Sequence, residues 1–405
     1  MKKLLLAVCC FLLAQDISAQ FRFDNKLYKT IYWDDLCKAL REQKDYLLLD
    51  VRSPGEYSDT SQYESLNIGH LKGAMNVDIH TLPDSISKIE SYKNKTIYVY
   101  CSHSQRSRRV SKMLSEKGFT NIVNVNGGMT ILNILKDKSI PCANSIYESA
   151  NKYKILAPEE ICSLAANDKN ILLIDVRSDS SFVGISTVEA KNAYGKLKQS
   201  INIPVSDLEN SLGKIPSGKK IILIDDYGNE SVKAAKLLLG KGYKDINILF
   251  NGLDEWAYTD ISSLPCKNEM LERANSYKLI SAEEFSKLKL DNGLILDIRT
   301  DSEYRNIAKD YWRNVGNIKN AVNIPSSDLN DKLGSIEAYK NKPVVLYSFS
   351  SSPDIFSSAK LLTDKGFKNV NVLVGGLFSM RWKAGNIKNQ EHLNDFVTNV
   401  PPDNY

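Results

Sequence analysis

The sequence predicts an α/β fold: three tandem domains, each a mostly parallel sheet with helices on both faces. Three observations carry this. Gly118, Gly242 and Gly366 mark one unit recurring every 124 residues along a 405-residue chain. Within each unit, short apolar runs alternate with segments of helical periodicity. Each unit then closes on a glycine turn: Gly127-Gly128, Asn251-Gly252 and Gly375-Gly376. A period of one small domain means whole domains in tandem rather than a solenoid. Length alone points the same way, at roughly 100–200 residues per domain.

The start reads as a secretory signal over residues 1–19. Lys2 and Lys3 are its positive region, residues 4–14 form an apolar run too short to span a bilayer, and Ser18-Ala19 offers small residues before Gln20. Ile17 is larger than cleavage sites favour. A lipid anchor would use Cys9 or Cys10, but bulky Val8 precedes Cys9 and the apolar run continues past both. The expectation is an exported protein, periplasmic or extracellular, where disulfides persist. No later stretch approaches ~18 uncharged apolar residues, so no membrane span is expected in the mature chain.

The elements repeat in order. In the first copy, strands are expected at 46–51, 96–101 and 122–125, with a helix at 106–117 presenting Val110, Met113 and Leu114 on one face. Gly118 stands where a left-handed residue stops that helix. Leu49-Asp50-Val51-Arg52 recurs as Ile174-Asp175-Val176-Arg177 and Leu296-Asp297-Ile298-Arg299. Ala74-Met75-Asn76-Val77 recurs as Ser200-Ile201-Asn202-Ile203 and Ala321-Val322-Asn323-Ile324. Strands alternating with helices argue for a parallel sheet covered on both faces. In such sheets, ligands bind beyond the carboxyl ends of the strands.

Composition excludes several functions. Fifty-three basic against 48 acidic residues leave +5, which gives no electrostatic footprint for nucleic acid. With 42% apolar and 25% charged residues, the chain is globular rather than low-complexity. No His–Cys cluster has metal spacing and no Gly-rich phosphate loop occurs, so neither metal nor cofactor is expected.

One constellation carries chemistry. The apolar run 97–100 ends in Cys101-Ser102-His103-Ser104-Gln105-Arg106-Ser107. A loop between a buried strand and a helix start can curl its N–H groups around one centre at the positive end of the helix. That setting favours thiolate and holds an anion. Arg106 adds a permanent charge and a planar fork suited to an oxyanion. Without these surroundings, Cys101 would read as a small buried hydrophobe. His103 reads as a solvated loop residue or as a donor contact, and His70, Asp50 and Arg52 as structural.

The blocks Asp50-Val51-Arg52, Gly69-His70-Leu71-Lys72-Gly73-Ala74, Cys101–Arg106 and Gly118-Phe119 through Gly127-Gly128 resemble the rhodanese domain of sulfurtransferases. The likeness covers 25–146, with degenerate copies at 150–268 and 275–388 and a polar tail at 389–405, read as poorly ordered. The resemblance implies that Cys101 takes the outer sulfur of a donor such as thiosulfate as a persulfide, which a thiol or cyanide acceptor removes. It implies that residues 102–107 cradle that sulfur. The six-residue span from Cys101 to Arg106 is the length usual in rhodaneses; related phosphatases carry one residue more. Ser104 and His103 depart from the pattern, since glycine is common at the former.

The other copies lack the nucleophile. Alignment on the glycines puts Asp225 and Phe349 in place of Cys101, and Glu230 and Asp354 in place of Arg106. Both copies look like packing or protein-binding modules. The rival to a sulfurtransferase is therefore a non-catalytic envelope scaffold. The remaining cysteines pair by position: Cys37 and Cys162 on the first helix of their copies, Cys142 and Cys266 at the ends. Disulfides Cys37–Cys142 and Cys162–Cys266 are expected, leaving Cys101 free.

Overall fold

The computed structural model describes residues 27–135 and 140–401. The expected signal segment, with Cys9 and Cys10, lies outside the described residues.

Each copy is built on a five-stranded parallel sheet. In the first, β1 (Lys29–Ile31), β2 (Tyr46–Asp50), β4 (Met75–Asn76), β5 (Thr96–Tyr100) and β6 (Asn121–Val125) lie in the order β1-β6-β5-β2-β4. The same order recurs from the edge strand Lys154–Leu156 in the second copy and from Lys278–Ile280 in the third. β2 and β5 are buried on both faces, which is why they read as unbroken apolar runs. Helices α1 (Trp33–Glu42), α3 (Gln105–Glu116) and α4 (Gly128–Leu135) cover the first sheet.

The repeated Gly-aromatic pair has a mechanical cause. α3 ends with the Gly118 N–H on the Ser115 carbonyl and the Phe119 N–H on the Leu114 carbonyl, with Gly118 at φ 83°. This Schellman closure requires a left-handed residue, which glycine adopts without a Cβ penalty. Gly242-Tyr243 and Gly366-Phe367 make the same pair of bonds.

Asp50 and Arg52 form a fully buried bidentate pair, and Arg52 also donates to the Gly69 carbonyl at 2.7 Å. Asp175–Arg177 with Gly195 and Asp297–Arg299 with Gly316 repeat the arrangement. Asn76 completes it by donating to both the Asp50 and Arg52 carbonyls. His70, half-buried, lies against the Tyr57 ring.

The ends of the domains differ from the sequence reading. β3 (His70–Leu71) pairs antiparallel with β7 (Tyr147–Glu148), and Lys196–Leu197 with Leu271–Glu272, so these copies extend past 146 and 268. The 389–405 segment, read as a disordered polar tail, is folded up to Val400: Glu391–Phe396 is a 3-10 helix and Val397–Thr398 pairs with Asn317–Ile318. Its few apolar residues decide this, because Leu393 and Val397 bury in the third core. Residues 402–405 lie outside the described residues.

Cys37 and Cys142 are disulfide-bonded with Cα atoms 5.5 Å apart, and Cys162 and Cys266 with Cα atoms 5.9 Å apart. Each bridge ties a domain's first helix to its last segment. Every domain also touches both others. Lys236 pairs with Glu64 between the second and first, and Lys267 with Glu284 between the second and third. Lys388 pairs with Asp34 between the third and first.

Candidate active site

Cys101 leaves the carboxyl end of β5 and is 1% exposed. Its loop is held from below by the start of α4. The Met129 N–H donates to the Cys101 carbonyl at 2.9 Å and the Thr130 N–H to the Ser102 carbonyl at 3.0 Å. This contact explains the glycine turn: a Cβ on Gly128 would sit 2.2 Å from the Cys101 carbonyl oxygen.

From there the loop turns into α3 through Ser104, buried and left-handed at φ 74°. A left-handed serine is uncommon, and its surroundings hold it there. Its hydroxyl does not cap α3. It is hydrogen-bonded instead to the Gly127 N–H and to Asn126 Oδ1. The first turn of α3 is thereby left without a side-chain cap, at the positive end of a twelve-residue helix.

The second copy fills the equivalent position with an acceptor. Asp225 stands in place of Cys101, and its carboxylate accepts the N–H groups of Gly228 (2.7 Å), Glu230 (2.6 Å) and Ser231 (3.1 Å). These residues align with Ser104, Arg106 and Ser107. The Asp225 carboxyl thus fills the second loop, where burial pushes it above its ordinary range against those bonds, and the first loop makes the same left-handed turn, with Ser104 at φ 74° and Gly228 at φ 82°. In the third copy Phe349 occupies the position, packed against Trp312 and Phe378 with the Arg313 guanidinium over its ring.

The side chains of the first loop divide by role. Ser107 Oγ lies 3.7 Å from Cys101 Sγ, 2.6 Å from Asn124 Oδ1 and 3.0 Å from the Ser104 carbonyl. Ser102 Oγ lies 2.9 Å from His103 Nδ1 and accepts from Arg106 Nη2 at 2.9 Å. Gln105 points to solvent. Arg106 is already paired: both Nη atoms meet the Glu56 carboxylate at 2.6 Å. Burial would raise the Glu56 carboxyl, but the Arg106 guanidinium outweighs it and holds the group below its ordinary range. His103 is exposed, with Ser102 and Trp382 beside its ring. Desolvation there, reinforced by the Arg106 charge, lowers its pKa to about 4, so the ring is neutral at pH 7.

Sequence reasoning missed Glu56 as the partner of Arg106, and with it Asn124, Asn126, Trp382 and Asn386. Asn124 in β6 and Asn126 in the turn after it carried a signal. The silent copies have Ile248 and Val372 opposite Asn124, and Phe250 and Val374 opposite Asn126.

Among the described residues Cys101 is the free cysteine, and no group of His, Cys, Asp and Glu could hold a metal ion. No helix there is long and apolar enough to cross a membrane.

Comparison with known proteins agrees with this geometry. The rhodanese-like domain model matches residues 34–131, 158–259 and 281–384. YqhL of Bacillus subtilis, an uncharacterized protein, is 29% identical over 110 residues, 27% of this chain and 76% of that protein. The thiosulfate sulfurtransferase PspE of Escherichia coli is 30% identical over 93 residues, 23% of this chain and 74% of that protein. A tRNA uridine(34) hydroxylase of Cytophaga hutchinsonii is 27% identical over 95 residues, 23% of this chain but 28% of that protein's length. Three matched domains, a repeated parallel sheet and a cysteine at the strand-to-helix loop of the first copy together place this chain in the rhodanese-like family, whose chemistry is sulfur transfer.

Proposed function

We propose that the protein is an exported sulfurtransferase working through a persulfide on Cys101. The observation that carries this reading is the match between the first loop, which holds an unpaired thiol, and the second, where a carboxylate fills the same ring of N–H groups. A loop shaped for a small anion stabilises a thiolate and then a charged persulfide.

The steps follow. The Cys101 thiolate attacks the outer sulfur of a donor such as thiosulfate. A new S–S bond forms, the donor's own S–S bond breaks, and the electron pair leaves on sulfite. A thiol or cyanide acceptor then attacks the terminal sulfur of the persulfide and returns the Cys101 thiolate. The N–H groups of Ser104, Arg106 and Ser107 hold the negative sulfur in both states. Export draws support from the charged, apolar start of the chain and from the two disulfides.

The test is direct. Purified protein is incubated with thiosulfate and Cys101 is examined by mass for the gain of one sulfur atom, which cyanide or a thiol then removes. A Cys101 that gains no sulfur would leave the scaffold reading in its place.

A further inference from the structure

We infer that the third domain completes the active site: Trp382 is a positioning residue that orients the His103–Ser104 peptide so that its N–H faces Cys101. This rests on the sulfur-transfer reading above and assigns a role to a domain that has no thiol of its own.

The helix Gly376–Asn386 runs from the silent third loop to the first domain's active loop. Near its end Trp382, 8% exposed, donates its indole N–H to the His103 carbonyl at 3.1 Å, across 279 residues. The indole also meets the His103 ring edge-on. In a trans peptide, the carbonyl of one residue and the N–H of the next point in opposite directions. Pulling the His103 oxygen outward to Trp382 therefore turns the Ser104 N–H inward. The second copy displays that inward orientation, because the Gly228 N–H, at the Ser104 position, donates to Asp225. Glycine reaches the left-handed conformation freely, whereas Ser104 has to be held in it.

The same helix secures the rest of the loop base. Asn386 Oδ1 accepts from Arg108 Nη2 at 2.8 Å and from the Gly127 N–H at 3.2 Å. Its amide donates to the Trp382 carbonyl at 2.8 Å. Asn126, bonded to the Ser104 hydroxyl, donates to the Gly385 carbonyl at 2.6 Å. Donating to a peptide carbonyl also polarises that peptide's N–H, so the indole both aims and strengthens the inward donor.

The experiment compares the full-length wild type with Trp382→Phe, which keeps an aromatic ring and removes the N–H. Single-turnover sulfur loading from thiosulfate should slow by about tenfold, the scale of one lost hydrogen bond. The loss should fall on the maximal rate rather than on the half-saturating donor concentration, since the Ser104 N–H serves the sulfur rather than donor capture. In the wild type, the Trp382 indole N–H resonance, assigned by its disappearance in the variant, should move when Cys101 is alkylated with iodoacetamide. The Trp256 resonance should not. Wild-type loading rates in the variant, or an unmoved Trp382 resonance on alkylation, would overturn the inference. A wild type that takes no sulfur from thiosulfate, yet whose Trp382 resonance shifts on alkylation, would reject the sulfur reading and keep the coupling. If the variant folds poorly, the Trp382 resonance is assigned instead by replacing Trp33, Trp256 and Trp312 in turn with phenylalanine, and the alkylation arm decides the matter.

Discussion

Glu56 grips Arg106 with both carboxylate oxygens, each 2.6 Å from a guanidinium nitrogen, so the loop's arginine fork is engaged before any donor arrives. The pair also fixes Ser102, which Arg106 contacts at 2.9 Å. Arg106 therefore acts here as a tie between α2 (Pro54–Tyr57) and the Cys101 loop.

Arg106→Ala leaves the largely buried Glu56 carboxylate without its partner. We expect a loss of about 2–4 kcal/mol in urea unfolding, because breaking a buried pair strands a charge. Glu56→Gln in the same chain should restore part of it. The sign with pH is fixed by Glu56, whose native pKa is held below its ordinary value of 4.5. The pair's contribution is present above that value and is lost as pH falls through the lower native pKa. A double variant no more stable than Arg106→Ala alone would contradict the assignment.

Cys101→Ser should fold as the wild type does, with an unfolding midpoint within a few degrees, and should take no sulfur. Serine fits the space of the thiol but forms no persulfide. Peptide mapping of the wild type without reduction should find Cys101 alkylated and the other four cysteines of the described residues as two linked pairs, 37 with 142 and 162 with 266. Sulfur on any other residue of the Cys101→Ser variant would displace the site.

Asp225→Cys in a Cys101→Ser background should not restore turnover. The new thiol would sit beside Asp226 and Glu230, both of which burial pushes up but which remain acidic neighbours. Like charges disfavour a thiolate and repel an anionic donor. Loading from thiosulfate should stay at least about a hundredfold below wild type, given like-charge costs of a few kcal/mol. Charging at wild-type rate would show that the cradle alone suffices.

The second domain should lose stability toward alkaline pH. Glu255 is pushed up to about 7 by burial, against the hydrogen bond from Asn251, and burial likewise brings Asp226 and Asp254 to about 6. The native state then holds protons that the unfolded chain releases. This contribution is full below about pH 4 and lost as pH rises through 6–7, on the order of 3 kcal/mol for Glu255 alone. Glu255→Gln should flatten the fall in unfolding midpoint between pH 5 and 8. A slope equal to wild type would place the effect elsewhere.

The fold was legible because its determinants are local and occur three times. Buried strands such as β5 show as apolar runs, and Gly118 marks a helix end that its own backbone requires. The Cys101 loop was legible for the same reason, since strand, loop and helix are contiguous. The left-handed turn at Ser104 was not, because serine carries no mark of it and the neighbours that hold it come from the turn after β6 and from the third domain. Trp382 was invisible for a plainer reason: along the chain it is an apolar helix residue, and only long-range packing sets its indole beside His103. Asn124 and Asn126 stood between these cases, apparent only when the three copies are compared position by position.

The bond from Trp382 to His103 has a consequence for the order of events at synthesis. The first domain has its strands, its helices and its thiol early, while the residue that turns the His103–Ser104 peptide emerges 279 residues later. Contacts so distant along the chain form late. A chain that stops before Trp382 would lack the indole that His103 accepts from, and its Cys101 would load sulfur more slowly. Full speed would thus be deferred until nearly the whole polypeptide exists, and the last long helix would serve as a certificate that it does.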